Sequence, residues 1–383
     1  MMTRHHPRLR SPLTLAAAIL MTACGGASPD ATASGDVRQI TTAALDSLPR
    51  TALTDGGRVC FATGYDSCPL HVAVANWLAP DRFALWEPGR EIAVYRVGDT
   101  VGVPIGGVGS GAGMYANQSA VGADDNGDVL VVEATAGTLL HYESNGKFRK
   151  TKPLPTLFGV ALWGFAGRVP LLQRFTAVDS ISLANLEVRV LTSAGDSAGR
   201  VALQLPIPWL RLDNNEVSAP LPFFPTQPLY AVADDGSLYW SSAERLWLRR
   251  LNRTGGTDWT LSSEIAGPAI TPMALSARRK ELEAAGIPAI DLDSMAALTP
   301  ATYPAVSGIL LNRDGRIMLG REHIAGSDSV AYLILSKDGV PLSRFSLGAR
   351  VHPLLLSGDS LLVHRPTEGE PWEVRWLLLS LPH

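Results

Sequence analysis

From about residue 70 onward one unit recurs: an apolar run, a tight Asp/Gly turn, then a second apolar run. It reads VGADDNGDVLVVEA at 121–134, YAVADDGSLYWSSA at 230–243 and GILLNRDGRIMLGR at 308–321. Weaker copies are VANWLAPDRFALWE at 74–87, VALWGFAGRVPLLQ at 160–173 and PLLLSGDSLLVHRP at 353–366. Taking Asp81, Gly127, Gly167, Gly236, Gly315 and Gly358 as turn markers, the spacings are 46, 40, 69, 79 and 43 residues. A period in this range cannot bury its own apolar faces and must stack on its neighbours.

Each strong copy is followed by a second hairpin. The expected strands lie around 139–143 and 148–154, 246–251 and 258–261, and 330–335 and 340–346. Their turns fall at Asn145-Gly146, Gly255-Gly256 and Asp338-Gly339. Such pairs supply the positive φ values that two-residue hairpins require. Four antiparallel strands in a unit of 40 or more residues describe a β-propeller blade, and six copies predict an all-β, six-bladed propeller.

The run GGVGSGAGMYANQSAVGADDNGDVLVVEATAGTLLHYESNGKF at 106–148 resembles an NHL-type repeat. It has the Gly-rich interblade loop, the Asp-x-x-Gly turn and a hairpin ending in Asn-Gly. Glu133 stands where the hallmark Asp of that repeat is found, with Ser241 or Ser242 and Arg321 or Glu322 there in the other strong copies. The resemblance is architectural over roughly 70–381 and reaches motif level only at 106–148. It points to bacterial six-bladed NHL-like lipoproteins and secreted proteins.

The two long spacings call for insertions. In the second, Thr271 is placed to cap a helix, Pro272 to open it and Gly286 to stop it, with a shorter helix at 291–298. The first, 174–228, is Pro-rich and apolar and gives no element pattern. The last repeat shows three strands, at 354–357, 360–365 and 372–379. Its fourth is expected from the N-terminal region, at 37–40 or 58–61, because a propeller edge is protected only when the ring closes.

Ahead of the repeats, Arg4, Arg8 and Arg10 precede an apolar stretch from Leu13 to Met21, too short to span a bilayer. It ends in Met21-Thr22-Ala23-Cys24-Gly25-Gly26, which resembles the lipobox of bacterial lipoproteins. The resemblance implies cleavage after Ala23, lipidation of Cys24 and an exported protein held on a membrane of the cell envelope. The expected organisation is a signal peptide over 1–23, a tether over 24–50 and the propeller over 51–383, with its helical insertion at about 272–298. Cys60 and Cys68 remain. In an oxidising compartment they predict a disulfide, since zinc would need two more ligands and only His71 is near.

The chain carries 33 Lys plus Arg against 36 Asp plus Glu, a formal charge of −3 that becomes −6 without the leader. That balance argues against nucleic acid, whose binding wants a basic surface. No nucleophile elbow, HExxH, P-loop or CxxC is present, so no catalytic residue, metal ligand or cofactor is assigned. Asp124-Asp125-Asn126-Gly127-Asp128 lacks the Glu that an EF-hand places at its twelfth position, and Thr135 stands there. The alternating Gly107, Gly109, Gly111 and Gly113 precede no helix pattern, and His141, His323 and His364 read as structural or surface histidines. The segments entering each inner strand carry Tyr115, Phe158, Phe223, Phe224, Tyr303 and His352. Of these, Tyr115, Phe224, Tyr303 and His352 are the candidate ligand contacts at a channel mouth. The expected role is a binding or scaffold module for a protein, peptide or glycan. The alternative is an enzyme at the channel mouth, such as a metal-assisted hydrolase, lactonase or lyase; only Asn76, Asn117 and His352 lie near suitable places for one.

Overall fold

Each apolar–turn–apolar unit folds as the two inner strands of an antiparallel sheet. The computed structural model describes residues 35–61, 68–69, 73–116, 118–133, 136–154, 161–166, 169–177, 183–190, 200–213, 216–217, 221–226, 228–321, 327–367 and 372–381. The N-terminal part holds β1 (Asp36–Gln39), α1 (Thr42–Ser47) and β2 (Ala52–Phe61). Blade 1 is β3 (Val74–Ala79), β4 (Arg82–Trp86), β5 (Ile92–Arg96) and β6 (Val103–Ile105). Blade 2 is β7 (Gln118–Ala123), β8 (Val129–Glu133), β9 (Thr138–Tyr142) and β10 (Phe148–Pro153). Blade 3 is β11 (Ala161–Ala166), β12 (Val169–Ala177), β13 (Leu183–Val190), β14 (Arg200–Asp213) and β15 (Glu216–Val217).

Blade 4 is β16 (Leu229–Val232), β17 (Leu238–Ser241), β18 (Leu248–Leu251) and β19 (Thr257–Ser262), to which β1 adds a parallel fifth strand. Helices α2 (Pro272–Ala284) and α3 (Ala289–Leu298) follow it. Blade 5 is β20 (Gly308–Leu311), β21 (Ile317–Gly320), β22 (Ser329–Leu335) and β23 (Pro341–Gly348). Blade 6 is β24 (His352–Ser357), β25 (Ser360–Pro366) and β26 (Trp372–Ser380), completed on its outer edge by β2. The protein is a six-bladed β-propeller.

Six apolar clusters join the blades, one per interface. Side chains alternate across a strand, so a middle strand serves two interfaces. In β8, Val129 and Val131 pack toward blade 1 beside Leu78 and Ile92, while Leu130 and Val132 pack with Leu139 and Phe165 toward blade 3. In β4, Ala84 and Trp86 join that first cluster, and Phe83 and Leu85 pack with Trp376 of blade 6. In β21, Ile317 and Leu319 face blade 4 and Met318 faces blade 6. Leu171 and Val188 of blade 3 meet Val232 and Leu238 of blade 4. This double burial explains why the inner repeat units are apolar throughout and do not alternate with polar residues.

Of the two N-terminal segments considered for ring closure, 58–61 belongs to the closing strand: β2 pairs with β26 from Ala52↔Ser380 to Phe61↔Glu373. Segment 37–40 goes to blade 4, with β1 in parallel register on β19. The expected tether therefore ends earlier than residue 50. From Asp36 on, the chain is a belt along the outer edges of blades 4, 5 and 6. Its apolar residues decide this, since Ile40 and Leu45 are buried in the core between blades 4 and 5. Thr41 caps α1 by accepting from the Ala44 N–H at 3.2 Å. On blade 5, Arg344 donates its N–H to the Pro49 carbonyl at 3.0 Å, and its carbonyl accepts from Thr51 at 2.8 Å. Arg344 also pairs with Asp46 at 2.9 Å.

Within the spacing of 69, the described residues of the expected 174–228 insertion belong largely to blade 3. They form its long strands, including the fourteen-residue β14. The spacing of 79 holds the helices, where Thr271 accepts from the Ala274 N–H at 3.2 Å and Gly286 takes φ +86° just beyond the end of α2. Cys60 and Cys68 form a disulfide, with Cα atoms 5.8 Å apart, at the end of the closing strand. Among the described residues no helix is long and apolar enough to cross a membrane. The expected signal peptide, Cys24 and residues 25–34 lie outside the described residues.

Candidate functional site

Every sheet ends at the ring centre on its first strand: β3, β7, β11, β16, β20 and β24. An end strand leaves a row of N–H and C=O groups without ladder partners, so six such rows converge on the channel. The cavity there measures about 710 Å³ and is lined by residues from all six inner strands, among them Asn76, Val121, Phe165, Ala231, Leu310 and Leu354. Its size falls in the usual small-ligand range of roughly 300–1,000 Å³.

The inner strands read VANWLA, QSAVGA, ALWGFA, LYAV, GILL and HPLLLS. They contain no Asp, Glu, Lys or Arg. Uncharged polar side chains on the lining include Gln173, Tyr230 and Asn76, whose Nδ2 donates to the Val121 carbonyl at 2.8 Å and, at 3.5 Å, to that of Phe165. The Asn76 side chain ties the inner edges of three blades together.

Charge collects where the inner strands turn. Asp234, Asp235, Arg313, Asp314 and Lys337 rim the cavity at that end, with Arg250 behind them. Arg313 reaches Asp234 at 3.5 Å, Arg250 reaches Asp235 at 3.4 Å, and Arg316 bridges Asp314 and Asp359 at 2.7 and 2.6 Å. Burial pushes the Asp235 carboxyl up, but the Ser237 N–H and hydroxyl and the Arg250 and Arg253 cations outweigh it and hold it below the usual value. Tyr230, on the cavity wall, has its phenol pushed well above the ordinary value by burial. Asn312 locks this rim by donating to the Gly358 carbonyl at 2.9 Å and accepting from the Gly358 N–H at 3.2 Å.

None of the four aromatic candidates lines the cavity. Tyr115 is 1 % exposed. Its hydroxyl donates to the Ile105 carbonyl at 2.8 Å and accepts from the Ile92 N–H at 2.9 Å, and burial pushes its pKa up to about 12. Tyr303 is buried, with half-buried Phe224 edge-on against its ring at 5.0 Å, and Phe223 is buried beside them in sequence. His352 is exposed and stacks on Trp372 at 5.7 Å; the water lost on its covered side lowers its pKa. These side chains enter from the opposite ends of the inner strands, where connections between blades pack.

The remaining motifs take structural parts. The Asp124 carboxylate accepts from Asn126 and Asp128 N–H groups of its own turn, at 2.8 and 3.0 Å. Glu133 is buried and accepts from the Ala136 N–H, and the Ser241 hydroxyl accepts from the Ala243 N–H at 3.1 Å. The hallmark position thus caps the connection after the second strand. His364 is buried, with Nε2 3.3 Å from the Pro69 carbonyl oxygen. Burial, followed by the Lys150 ammonium, lowers the pKa of His141. Phe158, Asn117 and His323 lie outside the described residues. Among the described residues no three His, Cys, Asp or Glu side chains are grouped to hold a metal ion.

No protein-family model and no curated protein sequence matches the chain. Among solved structures, a Bacteroides fragilis protein described as exported is similar at 12 % identity, over 91 % of this chain and 99 % of that one, with a TM-score of 0.49. A Bacteroides vulgatus protein of the DUF4221 family is similar at 8 % identity, over 88 % and 99 %, with a TM-score of 0.49. A streptogramin B lyase is similar at 12 % identity, over 86 % and 98 %, with a TM-score of 0.43. These likenesses are of fold.

Proposed function

We propose that the protein is an exported, lipid-anchored binding module of the cell envelope. In this proposal the end of a peptide or glycan partner seats in the central channel. One observation carries the channel assignment: six free inner strand edges surround about 710 Å³, on strands without a single Asp, Glu, Lys or Arg. Walls of this kind bury carbon and offer backbone donors and acceptors, which suits chains bearing amide and hydroxyl groups. Acid–base or metal-assisted chemistry wants titratable side chains aimed at a reacting atom. Here the nearest carboxylates sit at the rim, with Asp234, Asp235 and Asp314 each in an ion pair with an arginine. Export and anchoring rest on the Arg-rich, apolar, Ala23-Cys24 leader.

The test uses 1-anilinonaphthalene-8-sulfonate as a reporter of the channel, displaced by short peptides and oligosaccharides from envelope digests. Ala231 lines the cavity and belongs to none of the interblade clusters. Ala231→Phe should fill the seat and abolish the displaceable fluorescence while thermal unfolding stays cooperative. Displaceable binding unchanged in that variant would refute the channel as the seat.

A further inference from the structure

The rim of the disc at blades 1 and 2 combines two features found together nowhere else among the described residues. The first is apolar exposure. Of thirteen exposed large apolar side chains among the described residues, five fall between 97 and 114: Val97, Val101, Val103, Val108 and Met114. The second is a run of lysines. The chain has five, and Lys147, Lys150 and Lys152 sit within six residues, all exposed, at β10 and the turn before it.

The two features share one edge of the molecule. A Cβ on Gly146 would come within 2.8 Å of the Pro104 carbonyl oxygen and 3.5 Å of the Val103 side chain, so the lysine-bearing turn lies against β6. A Cβ on Gly113 would come within 2.7 Å of the Phe148 ring, so the loop carrying Val108 and Met114 lies against β10. Arg149 is engaged by Asp128 at 2.7 Å and Glu143 at 3.5 Å, and contributes little net charge. No ion pair joins Lys147 or Lys150 to a carboxylate among the described residues.

Lysines also blunt free sheet edges against aggregation. That general device does not account for this cluster, because the outermost strands of the other five blades contain no lysine. We propose that this rim is a docking surface for an anionic lipid bilayer. The lysines would face the headgroups, and the valines and Met114 would enter the boundary layer. Exposed carbon beside exposed cations is the composition of interfacial membrane contacts, and a soluble polyanion would need only the cations. The proposal is independent of what the channel holds.

The test is co-sedimentation of the full chain carrying Cys24→Ser, so that no acyl chain contributes. Vesicles of phosphatidylcholine are compared with vesicles also containing phosphatidylglycerol. Binding is expected only to the latter, and lost near 1 M salt, where screening falls to about 3 Å. Lys147→Gln with Lys150→Gln should weaken it about fivefold per lysine, roughly 25-fold together, while Lys280→Gln on α2 changes nothing. Val101→Ser with Met114→Ser should weaken vesicle binding and leave dextran sulfate binding unaltered. Circular dichroism confirms folding of each variant. Absence of binding to the anionic vesicles overturns the proposal. So does vesicle binding that ignores the Val101 and Met114 changes, which would assign the rim to a soluble polyanion.

Discussion

Asn312 offers a sharp test of how the channel rim is held. Its side chain is 5 % exposed and exchanges two hydrogen bonds with Gly358 of the next blade, at 2.9 and 3.2 Å. Asn312→Ala removes both, at a net cost of about 1 kcal/mol each. Gly358 itself is exposed, so water can reach its N–H and C=O and the further penalty for stranded buried groups stays small. The expected loss is therefore about 2 kcal/mol. Asn312→Asp keeps the acceptor for the Gly358 N–H but sets a carboxylate oxygen against the Gly358 carbonyl. It should be at least as destabilising near neutral pH. Protonation restores a donor, so the folded state binds the proton more tightly and stability rises as pH falls toward the ordinary Asp value of about 3.9. Urea unfolding of both variants at neutral and mildly acidic pH reads this directly. An Asn312→Ala midpoint within error of wild type, or an Asp variant indifferent to pH, would refute the reasoning.

The disulfide closes a nine-residue loop at the end of β2, and its removal by paired serine substitution or reduction should cost about 2.6 kcal/mol by loop entropy; unchanged melting in reductant would contradict this. Mass spectrometry of the native protein should find Cys24 lipidated, and Cys24→Ser should release the chain from membranes with its unfolding curve intact; an unmodified Cys24 sinks the anchor. The folded pKa of His141 lies below its ordinary value, so its contribution to stability is full above about 6.5 and is lost as pH falls through the folded value. His141→Gln should flatten that part of the stability profile, and an NMR titration placing the His141 imidazole at or above 6.5 would oppose it.

The blade count was legible because turn chemistry is local. Gly236 and Gly315 take φ of +78° and +89° at the turns their Asp-Gly sequences announce, and the helix signals at Thr271, Pro272 and Gly286 are equally local. What sequence alone left open depended on long-range partners. Residues 36–50 are short and mostly polar, and only the groove between blades 4 and 5 reveals why Ile40 and Leu45 anchor them. Beyond Gly167 the sequence of blade 3 offers no Asn-Gly or Asp-Gly turn, so its long strands read as an insertion. The aromatic candidates share a position between blades, and packing decides their exposure: Tyr115 finds backbone partners in blade 1, while His352 is covered on one side by Trp372 and stays exposed. The channel cavity had no motif to announce it, because its polar side chains are scattered over several blades and the rest of its polarity is backbone edge that every strand possesses. A usable signal was present in the inner strands, all six of which lack Asp, Glu, Lys and Arg.

Hydrogen–deuterium exchange with and without saturating 1-anilinonaphthalene-8-sulfonate tests the channel assignment most directly. Peptides covering 74–79, 118–123, 229–233 and 308–312 should gain protection, since their edge amides face the cavity. The aromatic connections at 221–226 and 349–353 should exchange as before. Protection at those connections, with the inner strands unchanged, would place the ligand on the opposite face and contradict the account.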